Sequence, residues 1–347
     1  MSNDRASSTG PLRAAIIGLG NWGQNLVRSV HGHDDVIRFS AGATRTPDRA
    51  RAFAQEHCIP MHESYEAALA DPAVQAVVLA TPHSMHATQI IAAARAGKHV
   101  FCEKPLGLSS EASEAAVRAC AEHGVTLAVG YNWRFQPALR EIRRMFQDGR
   151  LGKLMHIEGN FNGPSAYRFP RGHWRHDTDE VPAGGMTGRG VHVVDAMLYL
   201  AGHIDSVTAQ SMRLAQDFGV DDTTSMLFRF QGGATGYLGT VIATAEGWRM
   251  QVVGSRGWVE VGDVEHLSTW EMRVCLVDPA EPLTRNRPQT VTFAATSTER
   301  AELEHFARAA LAGRPLAVPG GDEVHNVAVL EAILQSLRDD GARVSVR

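Results

Sequence analysis

Six residues near the N-terminus, Gly18-Leu19-Gly20-Asn21-Trp22-Gly23, leave few folds open to this chain. They fit GxGxxG and sit between an apolar run, Leu12–Gly18, and an amphipathic stretch, Asn21–Val30, with Trp22, Leu26, Val27 and Val30 near helical spacing. In a strand–loop–helix context the first glycine permits a tight turn. The second lets backbone approach a pyrophosphate, and the third packs helix on strand, while the helix N-terminus offers N–H donors and a positive dipole. The run reads as a dinucleotide-binding turn. The next strand, Ile37–Thr44, ends in Ala43-Thr44-Arg45, where NAD-binding chains usually place Asp or Glu against the ribose 2′-hydroxyl. A guanidinium beside a small hydroxyl suits a 2′-phosphate, so Thr44 and Arg45 favour NADP over NAD.

The pattern continues as alternating strands and helices up to about residue 130. Strands are expected at Val74–Thr81, Lys98–Cys102 and Thr126–Gly130, and helices at Asp48–His57, His86–Ala96 and Ser110–His123. Such alternation with short loops implies βαβ units in a doubly wound parallel sheet. From about residue 133 the rhythm changes. A helix at Pro137–Gln147 precedes β-type runs at Leu154–Phe161, Ser206–Leu214, Thr223–Phe230, Ala234–Ala243, Arg249–Val253, Trp258–Val261 and Thr269–Val277. Helices are expected at His192–Leu200, Thr298–Leu311 and Asp322–Arg338. The fold class is α/β, with a second α+β domain built on a large, mostly antiparallel sheet. The division is a disordered arm at 1–11, a dinucleotide-binding domain at 12–132 and a substrate and association domain at 133–347.

A length of 347 residues suits two domains, and 44% hydrophobic residues suit packed cores. Thirty-four basic against 38 acidic residues give a net charge of −4, which offers no basic footprint for nucleic acid. No apolar run approaches the roughly 20 residues of a membrane span. The start, MSNDRASSTGP, lacks the apolar core of a secretory signal. Cys58, Cys102, Cys120 and Cys275 form no CxxC pair, sit among apolar neighbours and read as reduced core residues. A cytoplasmic location is expected.

Ala80-Thr81-Pro82-His83, then Gly97-Lys98-His99-Val100-Phe101-Cys102-Glu103-Lys104-Pro105, resemble the glucose–fructose oxidoreductase/inositol dehydrogenase/MocA family. Gly130-Tyr131-Asn132-Trp133-Arg134-Phe135, Trp174-Arg175 and the segment from Gly184-Gly185 through His192-Val193-Val194-Asp195 extend the resemblance. The resemblance implies an N-terminal Rossmann domain, a C-terminal domain with a large open sheet, and a nicotinamide cofactor. It also implies oxidation of a secondary alcohol on a sugar, cyclitol or similar ring, or the reverse. Pairing through the open sheet face, as homodimer or homotetramer, is implied as well.

Lys104, at a strand's C-terminal end, would stabilise alkoxide-like charge on the reacting oxygen, with Glu103 positioning Lys104 or the cofactor. His192 would exchange the hydroxyl proton; near a helix N-terminus the dipole disfavours imidazolium. Asp195 shares its helical face and would orient the ring or anchor the helix. Thr81, Pro82, His83 and His86 would border the cofactor, and Trp133 and Arg134 would contact it or form a packed hinge. Many family members carry Asp four residues before this histidine, where this chain has Gly188. That weakens the sugar assignment and opens an aromatic-derived, carboxylated ring diol as an alternative. Arg168, Arg171, Arg175 and Arg189 would recognise a carboxylate or stand solvated, and Asp177 or Asp179 would replace the missing acid. His31/His33, His83/His86 and His173/His176 lack further ligands at a metal-binding spacing, so no metal is expected. The competing class is a catalytically silent NADP-sensing regulator.

Overall fold

The computed structural model describes residues 10–282, 285–315 and 322–347, which form two compact units. Most of the expected arm, residues 1–9, lies outside the described residues. The first unit runs β1 (Leu12–Ile17), α1 (Asn21–Val30), β2 (Ile37–Ala43), α2 (Pro47–Glu56), α3 (Tyr65–Ala70), β3 (Ala76–Leu79), α4 (His86–Arg95), β4 (His99–Cys102), α5 (Ser110–Glu122) and β5 (Leu127–Val129). Its five strands are all parallel, in the order β2-β1-β3-β4-β5. Helices cover both faces, so β3 and β5 bury every residue and read as unbroken apolar runs. Ser64 and Ser109 start α3 and α5 by accepting hydrogen bonds from the backbone N–H groups of Ala67 and Ala112. Strand order reverses direction between β1 and β3, which opens a crevice at the carboxyl ends of these strands.

The chain continues through α6 (Pro137–Gln147), β6 (Leu154–Asn162), α7 (Ser165–Arg168), α8 (Val191–Ala201), β7 (Ile204–Met212), β8 (Thr223–Phe230), β9 (Thr235–Val241), β10 (Gly247–Gly254), β11 (Gly257–Asp263), β12 (Glu271–Leu276), β13 (Gln289–Thr292), α9 (Thr298–Leu311), α10 (Asp322–Arg338) and β14 (Val344–Ser345). The second unit's sheet has nine strands in the order β13-β12-β11-β10-β6-β9-β8-β7-β14, antiparallel except for β6 against β9. Burial alternates along β10 and β8, so one face is packed while Met155, Met212 and Leu227 stand exposed. The fold class is the one expected from the sequence.

Of the four cysteines expected in the core, Cys102 and Cys120 are buried, whereas Cys58 is exposed and Cys275 partly exposed. Although it lies within 133–347, α9 clusters with the first unit. Leu303, Phe306, Ala307 and Ala310 of α9 complete the core around Leu12, Ile16 and Phe101, with the Phe306 and Phe101 rings 5.8 Å apart. Leu303 and Phe306, fully buried at roughly 1.5–3 kcal/mol each, make α9 part of that core, with Ala307 and Ala310 packed beside them.

Candidate functional site

The first unit gathers its chemistry at the carboxyl edge of its sheet. Gly18 follows β1, Thr44-Arg45 follow β2, Thr81-Pro82 follow β3, Glu103-Lys104 follow β4 and Gly130 follows β5. Gly18 has φ +95°, and a Cβ there would lie 2.5 Å from the Ala80 carbonyl oxygen. A Cβ on Gly23 would lie 2.0 Å from the Gly18 carbonyl oxygen, so no side chain fits between α1 and its loop. Gly20, the N-cap of α1, faces open space, where a Cβ would meet nothing within 4 Å. No side chain caps α1 and no acidic residue occupies its first turn. Its N-terminal N–H groups and positive dipole are therefore available to an anion, and the glycine run fits a dinucleotide pyrophosphate. Asn21 is exposed at the same turn. Arg45 is exposed after β2 and, among the described residues, has no carboxylate partner.

A histidine ties two of these loops together. His86 is fully buried, with Nδ1 2.7 Å from the Pro105 carbonyl oxygen and Nε2 3.0 Å from that of Thr81. The Thr81 hydroxyl donates to Gln89 Oε1 at 2.6 Å. His83 is buried and its ring meets that of His86 edge-on at 5.8 Å. Lys104-Pro105 is a cis peptide. Lys98, part of the same motif, is structural: Nζ donates to the carbonyl oxygens of Asp71 and Val74 at 2.8 and 2.7 Å.

Glu103 lies directly beneath half-buried Lys104. The Lys104 backbone N–H donates to its Oε2 at 3.3 Å, and the Trp22 indole N–H faces the carboxylate without closing to a full hydrogen bond. A Cβ on Gly130 would stand 2.9 Å from Oε1. Burial pushes the Glu103 pKa from an ordinary 4.5 up to about 7; Lys104 and Trp22 pull it down, and Glu299 pushes it up. Between 4.5 and 7 the native protein holds a proton that the unfolded chain has released, so stability falls as pH rises through that window. Glu103→Gln is expected to flatten this slope. Parallel melting-temperature curves for the two proteins from pH 5 to 8 would contradict it.

In the second unit His192 is buried against aromatic rings. Trp133 stacks on it at 5.6 Å and 19°, and Phe161 and His266 each lie 6.3 Å away. Trp133 is itself packed on Trp248 at 4.4 Å and on Phe161 at 5.4 Å, the contacts of a core residue. His192 does not stand at a helix N-terminus, where its sequence position would put it. A π-helical turn, Met186–Gly190, runs straight into α8, with Gly190 and Val191 in right-handed helical geometry. His192 therefore sits beyond the first turn, where the dipole has little reach. Asp195 is fully buried and accepts two bonds from Arg134 Nε, at 2.8 and 3.1 Å, and one from Nη2 at 2.7 Å. The pair ties Arg134 to α8. Arg134 also lies 5.4 Å over the Tyr199 ring. Asp177 and Asp179 are exposed, Asp177 closing a local turn by accepting from the Asp179 N–H at 2.9 Å. Arg175 is half-buried, its guanidinium 4.2 Å from the Trp174 ring centre.

Sequence reasoning missed Phe161, beside His192, Trp248, beside the Trp133 ring that stacks on it, and His266, beside His192. The first two lie on strands far along the chain and the third on a single 3₁₀ turn, so no local spacing announces them. Among the described residues no group of three or more His, Cys, Asp or Glu side chains is arranged to hold a metal ion. No helix among them is long and apolar enough to cross a membrane.

Residues 12–131 match the oxidoreductase family, NAD-binding Rossmann fold, and residues 139–260 match the GFO/IDH/MocA C-terminal domain. The chain belongs to the Gfo/Idh/MocA oxidoreductase family. Relatives include the D-xylose 1-dehydrogenase (NADP(+)) 2 of Haloferax volcanii, 32% identical over 88% of this chain and 91% of that one. The scyllo-inositol 2-dehydrogenase (NAD(+)) of Bacillus subtilis is 31% identical over 74% and 75%. Among solved structures, the aldose–aldose oxidoreductase of Caulobacter crescentus complexed with glycerol superposes with a TM-score of 0.85 at 27% identity, over 96% and 99%. Within this Gfo/Idh/MocA chain Gly188 occupies the middle of the π-helical turn. A Cβ there would meet nothing within 4 Å, so the missing acid leaves open space rather than a filled one.

Proposed function

We propose that this oxidoreductase is an NADP-preferring dehydrogenase acting on a cyclic secondary alcohol or the corresponding ketone. The observation that carries the reading is Lys104 held at a strand's carboxyl end by buried Glu103, in the same edge as the Gly18–Gly23 turn. A bound nicotinamide would supply the hydride acceptor or donor. Lys104 would steady negative charge on the reacting oxygen, and His192 would take or return the hydroxyl proton. Glu103 holds the Lys104 backbone, and His86 fixes the loops on either side.

The coenzyme preference rests on Thr44-Arg45 and on the name of the Haloferax relative, while the Bacillus relative's name specifies NAD. Arg45→Ala is expected to raise KM for NADP about 10- to 100-fold, the worth of a charge-assisted phosphate contact, and to change KM for NAD much less. Equal shifts for both coenzymes, or a wild-type preference for NAD, would remove the assignment. Self-association through the exposed sheet face with Met212 and Leu227 belongs to the same reading. A monomer by light scattering at micromolar concentration would exclude it. A panel of ring alcohols and ketones followed at 340 nm tests the activity. No turnover anywhere, with NADPH binding intact, would favour the sensing protein instead.

A further inference from the structure

Four arginines flank the Gly184–Gly190 segment in sequence or space, and three of them have acidic partners. Arg189 Nη1 lies 2.6 Å from Glu246 and donates to the Asn162 carbonyl oxygen at 2.8 Å. Arg168 lies 3.5 Å from the same carboxylate, and Arg171 2.6 Å from Asp217. Arg175 differs. Among the described residues its guanidinium has no carboxylate or carbonyl partner, only the faces of Trp174 at 4.2 Å and Phe169 at 5.4 Å. It is less exposed than Arg168 or Arg171. Burial and, after it, the nearby Arg189 charge hold its pKa below the ordinary range, so the surroundings favour an incoming negative charge. A half-buried cation costs solvation that ring faces repay only in part, since cation–π contacts contribute about 0.5–2 kcal/mol.

Arg175 stands beside the Gly184–Gly190 segment: Trp174 packs against the cluster that contains Ile242, which a Cβ on Gly185 would meet at 2.8 Å, and the Arg175 and Arg189 charges are close enough to interact. Arg189 follows Gly188 and lies 4.7 Å over Phe161, the ring that stands 6.3 Å from His192. An acid at position 188 would put negative charge one helical turn before His192; Gly188 leaves that volume open and uncharged. A guanidinium clamped by its faces keeps its N–H edges for a planar, two-oxygen acceptor. We infer that Arg175, with Gly188 in place of an acid, forms a receptor for a carboxylate carried on the ring substrate. This deepens the dehydrogenase reading and rests on it for the reaction only. Two sources share the chemistry: uronic acids, and carboxylated dihydroxycyclohexadienes derived from arenes.

The test uses matched pairs with NADP: glucuronate and galacturonate against glucose and galactose, and a dihydroxycyclohexadiene carboxylate against the unsubstituted diol. Wild-type protein is expected to favour the carboxylated member of at least one pair by 10-fold or more in kcat/KM. The favoured pair identifies the source. Arg175→Met should bring that ratio close to one, and Arg175→Lys should retain part of it. A wild-type ratio near one, or an Arg175→Met loss equal for both members, overturns the receptor. Calorimetric titration of the same carboxylates into the NADPH complex separates the two readings. Carboxylate binding that Arg175→Met weakens 10-fold or more, without turnover of any compound, would retain the receptor and refute the dehydrogenase. Binding indifferent to the substitution would refute the receptor whatever the turnover, and circular dichroism melts check that each variant folds.

Discussion

Lys104→Met is expected to lower kcat by about 10²–10³-fold, and His192→Gln by about 10²–10⁴-fold, the ranges for losing an electrostatic stabiliser and a general acid–base. Affinity for NADPH, measured by fluorescence titration, should stay within a few-fold for both, because the glycine turn and Arg45 are untouched. Gln is chosen at 192 since Ala would leave a void beside Trp133 and Phe161 and confound chemistry with packing. The two roles differ in pH signature. His192→Gln should remove a limb of the kcat/KM profile, whereas Lys104→Met should lower the profile with less change of shape. The double variant should lose less than the product of the single losses, as groups serving one transition state do. Turnover within three-fold of wild type in either single variant would remove that residue's role.

Much of the first unit is legible because its strands are buried on both faces. Runs such as Ala76–Leu79 and Leu127–Val129 carry no competing polar period, and the glycines report backbone demands that no other residue meets. What was not legible depends on partners distant in sequence. The period of Thr298–Leu311 shows that α9 has an apolar face but not that Phe306 meets Phe101. The glycine-rich approach to His192 looks like a loop in sequence, yet it forms a π-helical turn that continues the helix upstream. Short elements also escape: α3 is six residues, largely alanine, and β13 and β14 are four and two residues at sheet margins, too short for any period to register. Arg175 reads in sequence as one of four equivalent arginines. It becomes distinct only because Glu246 and Asp217 are taken by the other three.

Breaking the Arg134–Asp195 pair should be the largest stability effect in the second unit. Asp195 is fully buried, Arg134 nearly so, and three hydrogen bonds of 2.7–3.1 Å hold the carboxylate 61 residues along the chain from its partner. Arg134→Met strands a carboxylate without its counter-charge, which costs about 3–5 kcal/mol. For a unit of this size that corresponds to a fall of roughly 10 °C in melting temperature. Replacing both residues, as Arg134→Met with Asp195→Leu, should recover much of the loss, because a dry apolar pair incurs no desolvation cost. A further variant, Asp195→Asn, separates two roles for Asp195. If it orients His192, Asp195→Asn should depress kcat while leaving the melting temperature near wild type. If it anchors α8 through Arg134, Asp195→Asn should lower the melting temperature first, with kcat at 20 °C falling less than ten-fold. Denaturant and thermal melts run beside the 340 nm assay decide between these. A single-variant cost under 1 kcal/mol would show that the pair contributes little to holding the fold.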